Sequence, residues 1–243
     1  MKKIFLAIAC LFVCSFVHAG QNLGQMRYDI RYQINDTTDT SHITKYTDSF
    51  LNARINQVQK EICRMTYPLY SVGYITTSSG IATYSISTDT AKIDKVCYLI
   101  STTGLINNYQ KLTYSTVQSL DVDRGISWES LPVGRPLNFY ELGTSIGLVP
   151  APSITYSYAN AVKIYYYQIP ADMSFDADLP FNGVAYLQDY SNLIVLGVSW
   201  KCKKEKGLSW ADDYTQYMTI LGQMKADVSS MRPDNTTINI QPK

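Results

Sequence analysis

The sequence predicts an α+β fold: a helical base, made of N-terminal helices and two long C-terminal helices, that carries a central antiparallel β-sandwich or small barrel. Three observations support this prediction. Apolar residues recur at helical spacing near the start of the chain, they alternate with polar residues through its middle, and the helical spacing returns near its end. We expect an apolar segment at 1–20, one domain over 21–230 (helices within 23–66, a β-rich part over 71–170, helices within 183–230) and a tail at 231–243.

Two helices are predicted before the β-rich part. The first has apolar residues at helical spacing over 23–34, and the turn-forming residues 35–39 end the pattern. The second begins after an N-cap within 47–49 and stops before Pro68. Its apolar positions share one face, which should be buried in a core because the opposite face is polar. These positions are Phe50, Leu51, Ile55, Val58, Ile62 and Met65.

The β-rich part consists of short segments rich in β-branched and aromatic residues, separated by turn-forming residues. Residues 116–123 interrupt it and are predicted to form a helical turn. Short strands at this spacing are typical of an antiparallel sandwich. The predicted strands cover residues 74–77, 81–86, 93–100, 136–141, 145–149 and 162–168.

Two long helices are predicted to complete the fold. Residues 184–206 are largely apolar and end in lysines followed by Gly207, as helix C-termini commonly do. Ser209 is expected to cap the next helix, over residues 210–230. Asp172, Asp176 and Asp178 precede the first of these helices, where carboxylates would stabilise the positive end of its dipole.

The first twenty residues have the three parts of a secretory signal. Two lysines follow Met1, an apolar stretch covers residues 4–17, and small residues provide a plausible cleavage point after Ala19 or Gly20. The apolar stretch is too short to be a convincing membrane span. The alternative is a buried or amphipathic N-terminal helix.

Charge and cysteine content argue against several classes of protein. The net charge is +1, and the only cluster of lysines lies at 201–206, which argues against a nonspecific nucleic-acid binder that depends on phosphate contacts. Three cysteines follow the signal-like segment: Cys63, Cys97 and Cys202. They have no CxxC spacing, which argues against a disulfide framework and a zinc site.

No set of residues has the pattern of a catalytic site. His42 is the one histidine after residue 20, and neither a nucleophile elbow nor a Walker or dinucleotide motif occurs. Two carboxylates could still meet in space, which leaves an exported hydrolase as the least favoured alternative. We therefore expect no enzymatic activity, no cofactor, no metal and no small-molecule substrate.

Tyrosine is unusually frequent, with 20 tyrosines against 7 phenylalanines. The tyrosine-rich segment 162–168 and the preceding segment 145–149 are followed by Pro170 and Pro150, and proline marks strand ends and edges because it lacks an N–H donor. We expect the two segments to form an exposed hairpin whose tyrosines contact another subunit or partner. The alternative is that one face packs on the core and the other is ordinary surface. The predicted interface residues are Tyr156, Tyr158, Tyr165, Tyr166 and Tyr167.

The order of these elements, together with particular residues, resembles the adaptor, or head-to-tail connector, proteins of tailed bacteriophages. The resemblance spans residues 23–230. It rests on the helical segment DSFLNARINQVQKEI at 48–62, on the sequence VPAP at 149–152, and on the strand IYYYQIP at 164–170, which two helices follow. The resemblance implies a structural virion protein at the head–tail junction, assembled in the host cytoplasm.

The same resemblance implies a set of partners. Copies of the chain, twelve in the usual case, would form a ring beneath the portal protein and offer a platform to downstream tail or nozzle proteins. Viral DNA would pass through the ring without sequence-specific binding. The tail at 231–243 could add a strand to a partner through Ile238 and Ile240. Because residues 1–20 resemble a signal peptide, the alternative function is an exported, periplasmic or cell-surface, β-sandwich binding protein.

Overall fold

The computed structural model describes residues 20–36, 46–103, 106–122 and 131–231. It confirms the α+β class, because a layer of helices carries two four-stranded sheets packed as a sandwich. The helices are α1 (Leu23–Gln33), α2 (Asp48–Thr66), α3 (Val117–Val122), α4 (Ser191–Lys206) and α5 (Ala211–Ser230). The strands are β1 (Tyr70–Ile75), β2 (Thr83–Ser85), β3 (Thr90–Thr103), β4 (Ile106–Lys111), β5 (Thr113–Tyr114), β6 (Asn138–Leu142), β7 (Ser145–Val149) and β8 (Val162–Gln168).

The first two helices begin at caps that the sequence provides. Asn22 and Gln25 form a reciprocal capping box at the start of α1, with bonds of 2.9 and 3.0 Å between each side chain and the other residue's backbone N–H. Thr47 caps α2 by accepting the N–H of Phe50 at 3.2 Å. Both predicted helices are therefore confirmed. With α4 and α5 they enclose one apolar core, whose fully buried members include Leu23, Met26, Ile30, Leu51, Ile55, Ile62, Leu193 and Ile194.

The predicted start of the fourth helix was wrong. Residues Phe181–Gly183 and Ala185–Tyr190 form short 3-10 turns, and the α-helix begins only at Ser191. Val184, the predicted first residue, has extended backbone (φ −64°, ψ 118°), and Tyr190, at φ −97° and ψ 7°, separates the 3-10 turn from the α-helix. The helix does end at Gly207, in the left-handed region as expected.

Two further predictions near these helices were also wrong. Ser209 does not cap α5, whose N-cap is Trp210 and which has no side-chain cap bond. The aspartates before residue 180 do not lie at the start of α4. Asp172 and Asp176 instead form ion pairs with Lys60 of α2 and Arg27 of α1, and Asp178 accepts two backbone N–H groups in its own turn.

The two sheets have the strand orders β1-β8-β3-β4 and β2-β7-β6-β5. All pairings are antiparallel except that of β5 with β6, so the second sheet is mixed rather than purely antiparallel. Side chains from the facing sides of both sheets fill the space between them, as in other sandwiches. The fully buried members are Val96, Tyr98, Ile146, Leu148, Ala161 and Val162.

The predicted exposed hairpin of 145–149 and 162–168 does not exist. Strand β7 belongs to the second sheet and β8 to the first, and each lies between two neighbours: β7 between β2 and β6, β8 between β1 and β3. Residues 150–161, which include a 3-10 turn at Ile154–Tyr156, carry the chain from one sheet to the other. Pro150 and Pro170 follow the ends of these strands, so the prolines mark strand ends but not sheet edges.

Candidate interaction surface on the first sheet

The outer face of the first sheet carries a concentration of tyrosines and lysines. Val162, Ile164 and Tyr166 of β8 point into the sandwich core, and alternation along the strand therefore turns Lys163, Tyr165 and Tyr167 outward. Their cross-strand partners share this face. We call it the tyrosine–lysine face and define it by Tyr70, Tyr74, Lys92, Lys95, Tyr109, Lys111, Lys163, Tyr165 and Tyr167.

The tyrosines of this face are in contact with one another. Tyr70 of edge strand β1 has its ring centroid 6.2 Å from that of Tyr165 and 5.3 Å from that of Tyr167. Tyr167 also packs on Tyr67, at the end of α2, with 5.2 Å between the ring centroids. The aromatic row thus runs from the helical layer onto the sheet, and its outer members, Tyr70 and Tyr74, are 43% and 52% exposed.

The lysine ammonium groups lie over the tyrosine rings. Lys95 Nζ is 4.4 Å from the ring centroid of Tyr165, and Lys163 Nζ is 4.9 Å from the same centroid. Lys163 also lies 5.7 Å from the ring of Tyr109 and 5.8 Å from that of Tyr74. The hydrogen bond with the Tyr165 side chain raises the pKa of Lys163, so this lysine stays protonated at neutral pH.

Carboxylates are scarce beside these lysines. The ion pairs found among the described residues all use cations of α1, α2 or α4, and none involves Lys92, Lys95, Lys111 or Lys163. One carboxylate lies beside the face: Asp94, which accepts a hydrogen bond from the Tyr70 hydroxyl at 2.9 Å. The face therefore carries an excess of positive charge in a chain that is almost neutral.

The predicted interface tyrosines occupy different environments. Tyr165 and Tyr167 lie on the tyrosine–lysine face, whereas Tyr166 points into the sandwich core. Tyr156 and Tyr158 are half-buried on the connection between the sheets and pack against the same core. Ile238 and Ile240 lie outside the described residues. A subunit or partner contact by any of these seven residues stays a prediction.

Sequence reasoning missed most of this face. Tyr70 and Tyr74 could have been recognised from the period-two pattern of the segment YSVGY, which the structure places in β1. The lysines gave no comparable signal, because they come from three strands and an irregularity between Ile93 and Lys95 breaks the alternation in β3.

The described residues contain no cluster of three or more histidine, cysteine, aspartate or glutamate side chains that could hold a metal ion. The three cysteines among these residues, Cys63, Cys97 and Cys202, form no disulfide with one another. Burial raises the pKa of Cys63 to about 12 and that of Cys202 to about 11, so neither forms the nucleophilic thiolate at neutral pH. His42 lies outside the described residues. Within the part of the chain that the structure covers, no helix is both long and apolar enough to span a membrane.

Comparison with known proteins assigns the family. The family model described as SU10 adaptor protein matches residues 21–237. No curated protein matches the chain. The matched range includes every helix and strand from α1 to α5, and therefore both the helical layer and the sandwich. The family consists of structural adaptor proteins of bacteriophages, which agrees with the resemblance drawn from the element order. The chain belongs to the SU10 adaptor protein family.

Proposed function

We propose that the protein is a head-to-tail adaptor of the virion: its copies form a ring beneath the portal, the ring extends the DNA channel, and its far side gives the next tail component a surface to bind. The observation that carries this proposal is the family match over residues 21–237. Twelve copies would be the ring size that the resemblance implies.

Two groups of exposed side chains on the helical layer are suited to contacts between copies. The α1 patch consists of Tyr28 and Tyr32, one helical turn apart and 68% and 70% exposed, and of Phe175, which is 75% exposed. Phe175 belongs to the segment that the backbone N–H of Gly24 holds against α1, through the carbonyl of Asp176 at 3.1 Å. The α5 patch consists of Tyr214 and Met218, also one turn apart.

A closed ring needs two different surfaces on each subunit, since each interface joins one surface to the other surface of the next copy. Aromatic residues and methionine are enriched in such interfaces relative to the remaining protein surface. The α1 and α5 patches supply two such surfaces, on different helices. This arrangement supports ring formation through the helical layer rather than through the tyrosines of β8.

The tail at 231–243 is proposed to add a strand to a partner. Strand β1 is an edge of the first sheet, with a hydrogen-bonded neighbour only on the β8 side within the described residues. An edge strand of this kind accepts an extended segment through main-chain hydrogen bonds, and alternate side chains such as Ile238 and Ile240 supply specificity. Removal of residues 231–243 should leave folding intact and weaken assembly; unchanged assembly would refute the role of the tail alone.

Native mass spectrometry of the purified chain, alone and mixed with portal rings, tests the proposal. We expect a ring, formed alone or on the portal. The double variant Tyr28→Glu with Phe175→Glu should reduce assembly at least tenfold because it places charge in an aromatic contact. Ile154→Glu is the matched control, since Ile154 is equally exposed but lies on the connection between the sheets. A stable monomer that does not bind the portal would overturn the proposal.

An exported β-sandwich binding protein remains the second candidate, because residues 1–20 have the pattern of a secretory signal. The family match begins at residue 21, so the two predictions concern different parts of the chain. The intact mass of the protein isolated from expressing cells separates them. We expect the mass of the full chain. A mass equal to that of the chain without residues 1–19 would favour export over a role in the virion.

A further inference from the structure

We propose that the tyrosine–lysine face binds the phosphate backbone of double-stranded DNA without reading its sequence. The proposed function requires only that DNA passes through a ring. This inference assigns a DNA contact to particular side chains of each subunit, and it does not depend on ring formation. The near-neutral net charge argued against such a binder, but the pairing of β3, β4 and β8 brings together lysines that are scattered along the sequence.

The first support is the separation of charge within the molecule. Most cations of the helical layer form ion pairs within that layer or with the segment packed on it, as Arg31 does with Asp48 and Lys201 with Glu61. The four lysines of the face have no carboxylate within ion-pair distance among the described residues. An unneutralised cluster of this kind attracts a polyanion and releases the polyanion's counterions when it binds.

The second support is the geometry of the lysines across the strands. Lys163 of β8 and Lys111 of β4 both lie opposite Cys97 of β3, one on each side, so they flank the same position of this strand of the first sheet. Lys95 lies opposite Tyr165 and Lys92 opposite Tyr167, further along the same strands. Because neighbouring strands are about 4.8 Å apart, the backbones of Lys111 and Lys163, on either side of β3, are about 10 Å apart. The four lysines therefore extend over three strands. Such spacing suits a row of phosphates better than a single small anion.

The third support is that lysine ammonium groups cover the faces of the tyrosine rings. Lys95 and Lys163 both lie within 5 Å of the Tyr165 ring centroid, and Lys163 also faces the rings of Tyr74 and Tyr109. Ring faces that carry ammonium groups are less available to stack on unpaired bases. The tyrosines therefore act as positioning residues that hold the lysines, and the contact to DNA is made through the backbone of the duplex.

Lysine also favours phosphate over an acidic protein partner. Protein interfaces are depleted of lysine and enriched in arginine, whose planar fork pairs with carboxylates. The defining residues of this face include no arginine. Lysine binds phosphate well as a mobile point charge, and a nonspecific contact needs no fixed fork.

Fluorescence anisotropy with a labelled DNA duplex, measured from about 50 to 200 mM salt on the full chain, tests the proposal. If all four lysines contact phosphates, the affinity should fall about 100-fold over this range, since each contact contributes about 0.9 to the slope of log K against log salt. The variant with Lys92, Lys95, Lys111 and Lys163 all changed to Gln should lose at least tenfold in affinity at the lowest salt and most of the slope. The variant with the same four lysines changed to Arg should keep both the affinity at the lowest salt and the salt dependence.

Two further variants make the test specific. Lys204→Gln with Lys225→Gln removes two cations of α4 and α5 that form no ion pair among the described residues, and it should leave DNA binding unchanged. Asp94→Asn removes the carboxylate beside the face and should strengthen binding several-fold. Tyr165→Leu should weaken binding while the fold, followed by circular dichroism, stays intact.

Three outcomes would overturn the proposal. They are a wild-type protein that does not bind the duplex at the lowest salt, a four-lysine Gln variant that binds as well as wild type, and binding of polyglutamate in preference to DNA of equal charge. The last result would identify an acidic protein surface as the partner. None of these outcomes bears on ring formation, which the native mass measurement decides separately.

Discussion

The backbone N–H of Phe181 donates a 2.8 Å hydrogen bond to Oε1 of Gln59, a side chain that α2 buries completely. The amide group of the same side chain donates to the carbonyl of Ala171 at 3.1 Å. One turn earlier, Asn56 makes two bonds to the backbone of Met173, of 2.9 and 3.0 Å. Two amide side chains of α2 thus satisfy the backbone of the segment that connects the sandwich to α4, and they fix its path across the helical layer.

Gln59→Leu should lower the free energy of unfolding by about 1–3 kcal/mol, because the buried N–H of Phe181 loses its partner. Gln57→Leu is the matched control on the exposed side of the same helix and should change stability by about 0.5 kcal/mol or less. The midpoint of urea unfolding, at unchanged slope, measures both. Equal shifts for the two variants would show that the buried amide does not stabilise this segment.

Two helical glycines should respond to alanine in opposite directions. A Cβ added to Gly197 of α4 would lie 2.6 Å from Cγ1 of Val58 and 3.0 Å from Cε2 of Tyr217, so Gly197→Ala should cost about 1–3 kcal/mol through overpacking. A Cβ on Gly222 of α5 meets no atom within 4 Å, so Gly222→Ala should stabilise the protein by up to about 1 kcal/mol. The thermal unfolding midpoint shows whether each substitution lowers or raises stability. A stabilising Gly197→Ala would contradict the close approach of α2, α4 and α5.

Tyr98 supports the sandwich core through its hydroxyl group. The side chain is fully buried, and its hydroxyl bonds to Thr77 Oγ1 at 3.1 Å and to the carbonyl of Tyr156. Tyr98→Phe should lower the free energy of unfolding by about 1–2 kcal/mol, since it leaves buried polar groups unpaired. Tyr114→Phe, at an exposed tyrosine, is the control and should have no measurable effect. Similar free energies of unfolding for the two variants would show that the Tyr98 hydroxyl does not stabilise the core.

Stability should decline at alkaline pH because of the buried thiols. Burial raises the pKa of Cys63 from 9.0 to about 12 in the folded chain. Below the ordinary pKa both states hold the proton; between 9 and 12 only the unfolded state releases it, so the free energy of unfolding falls as the pH rises. Urea midpoints between pH 7 and 11 should therefore fall less steeply for Cys63→Ala than for wild type. Parallel curves would contradict the burial of this thiol.

Local pattern predicted the helices of this protein well. Helix α1 was expected from Leu23 to Ile34 and ends one residue earlier, and α2 begins at the predicted N-cap and ends before Pro68. Each of these helices buries one face, so its apolar residues recur at helical spacing in the sequence. The segment before α4 was predicted wrongly, because apolar residues such as Leu187 continue the helical pattern although Val184 is extended and the residues up to Tyr190 form a 3-10 turn.

Strand pairing could not be predicted in the same way. Strands β7 and β8 follow one another along the chain, and each is followed by a proline, which is the pattern of a hairpin. Strand β7 instead pairs with β2 and with β6, the strand directly before it, whereas β8 pairs with β1 and β3. This choice of partners depends on which apolar faces meet across the sandwich. The tyrosine–lysine face has the same origin. Its lysines lie on three strands, and only their pairing brings them together.

The central position of β8 also determines when the chain can fold during its synthesis. Among the described residues, β1 pairs only with β8, and β8 also pairs with one side of β3. A nascent chain that ends before residue 162 can therefore form no more of this sheet than the β3–β4 pair. At roughly 5–20 residues per second, β1 waits several seconds for its partner. The helical layer is delayed further, because α1 and α2 pack on α4. A chain that ends before β8 therefore has neither core complete, and the whole domain can fold only after nearly the whole sequence has been made.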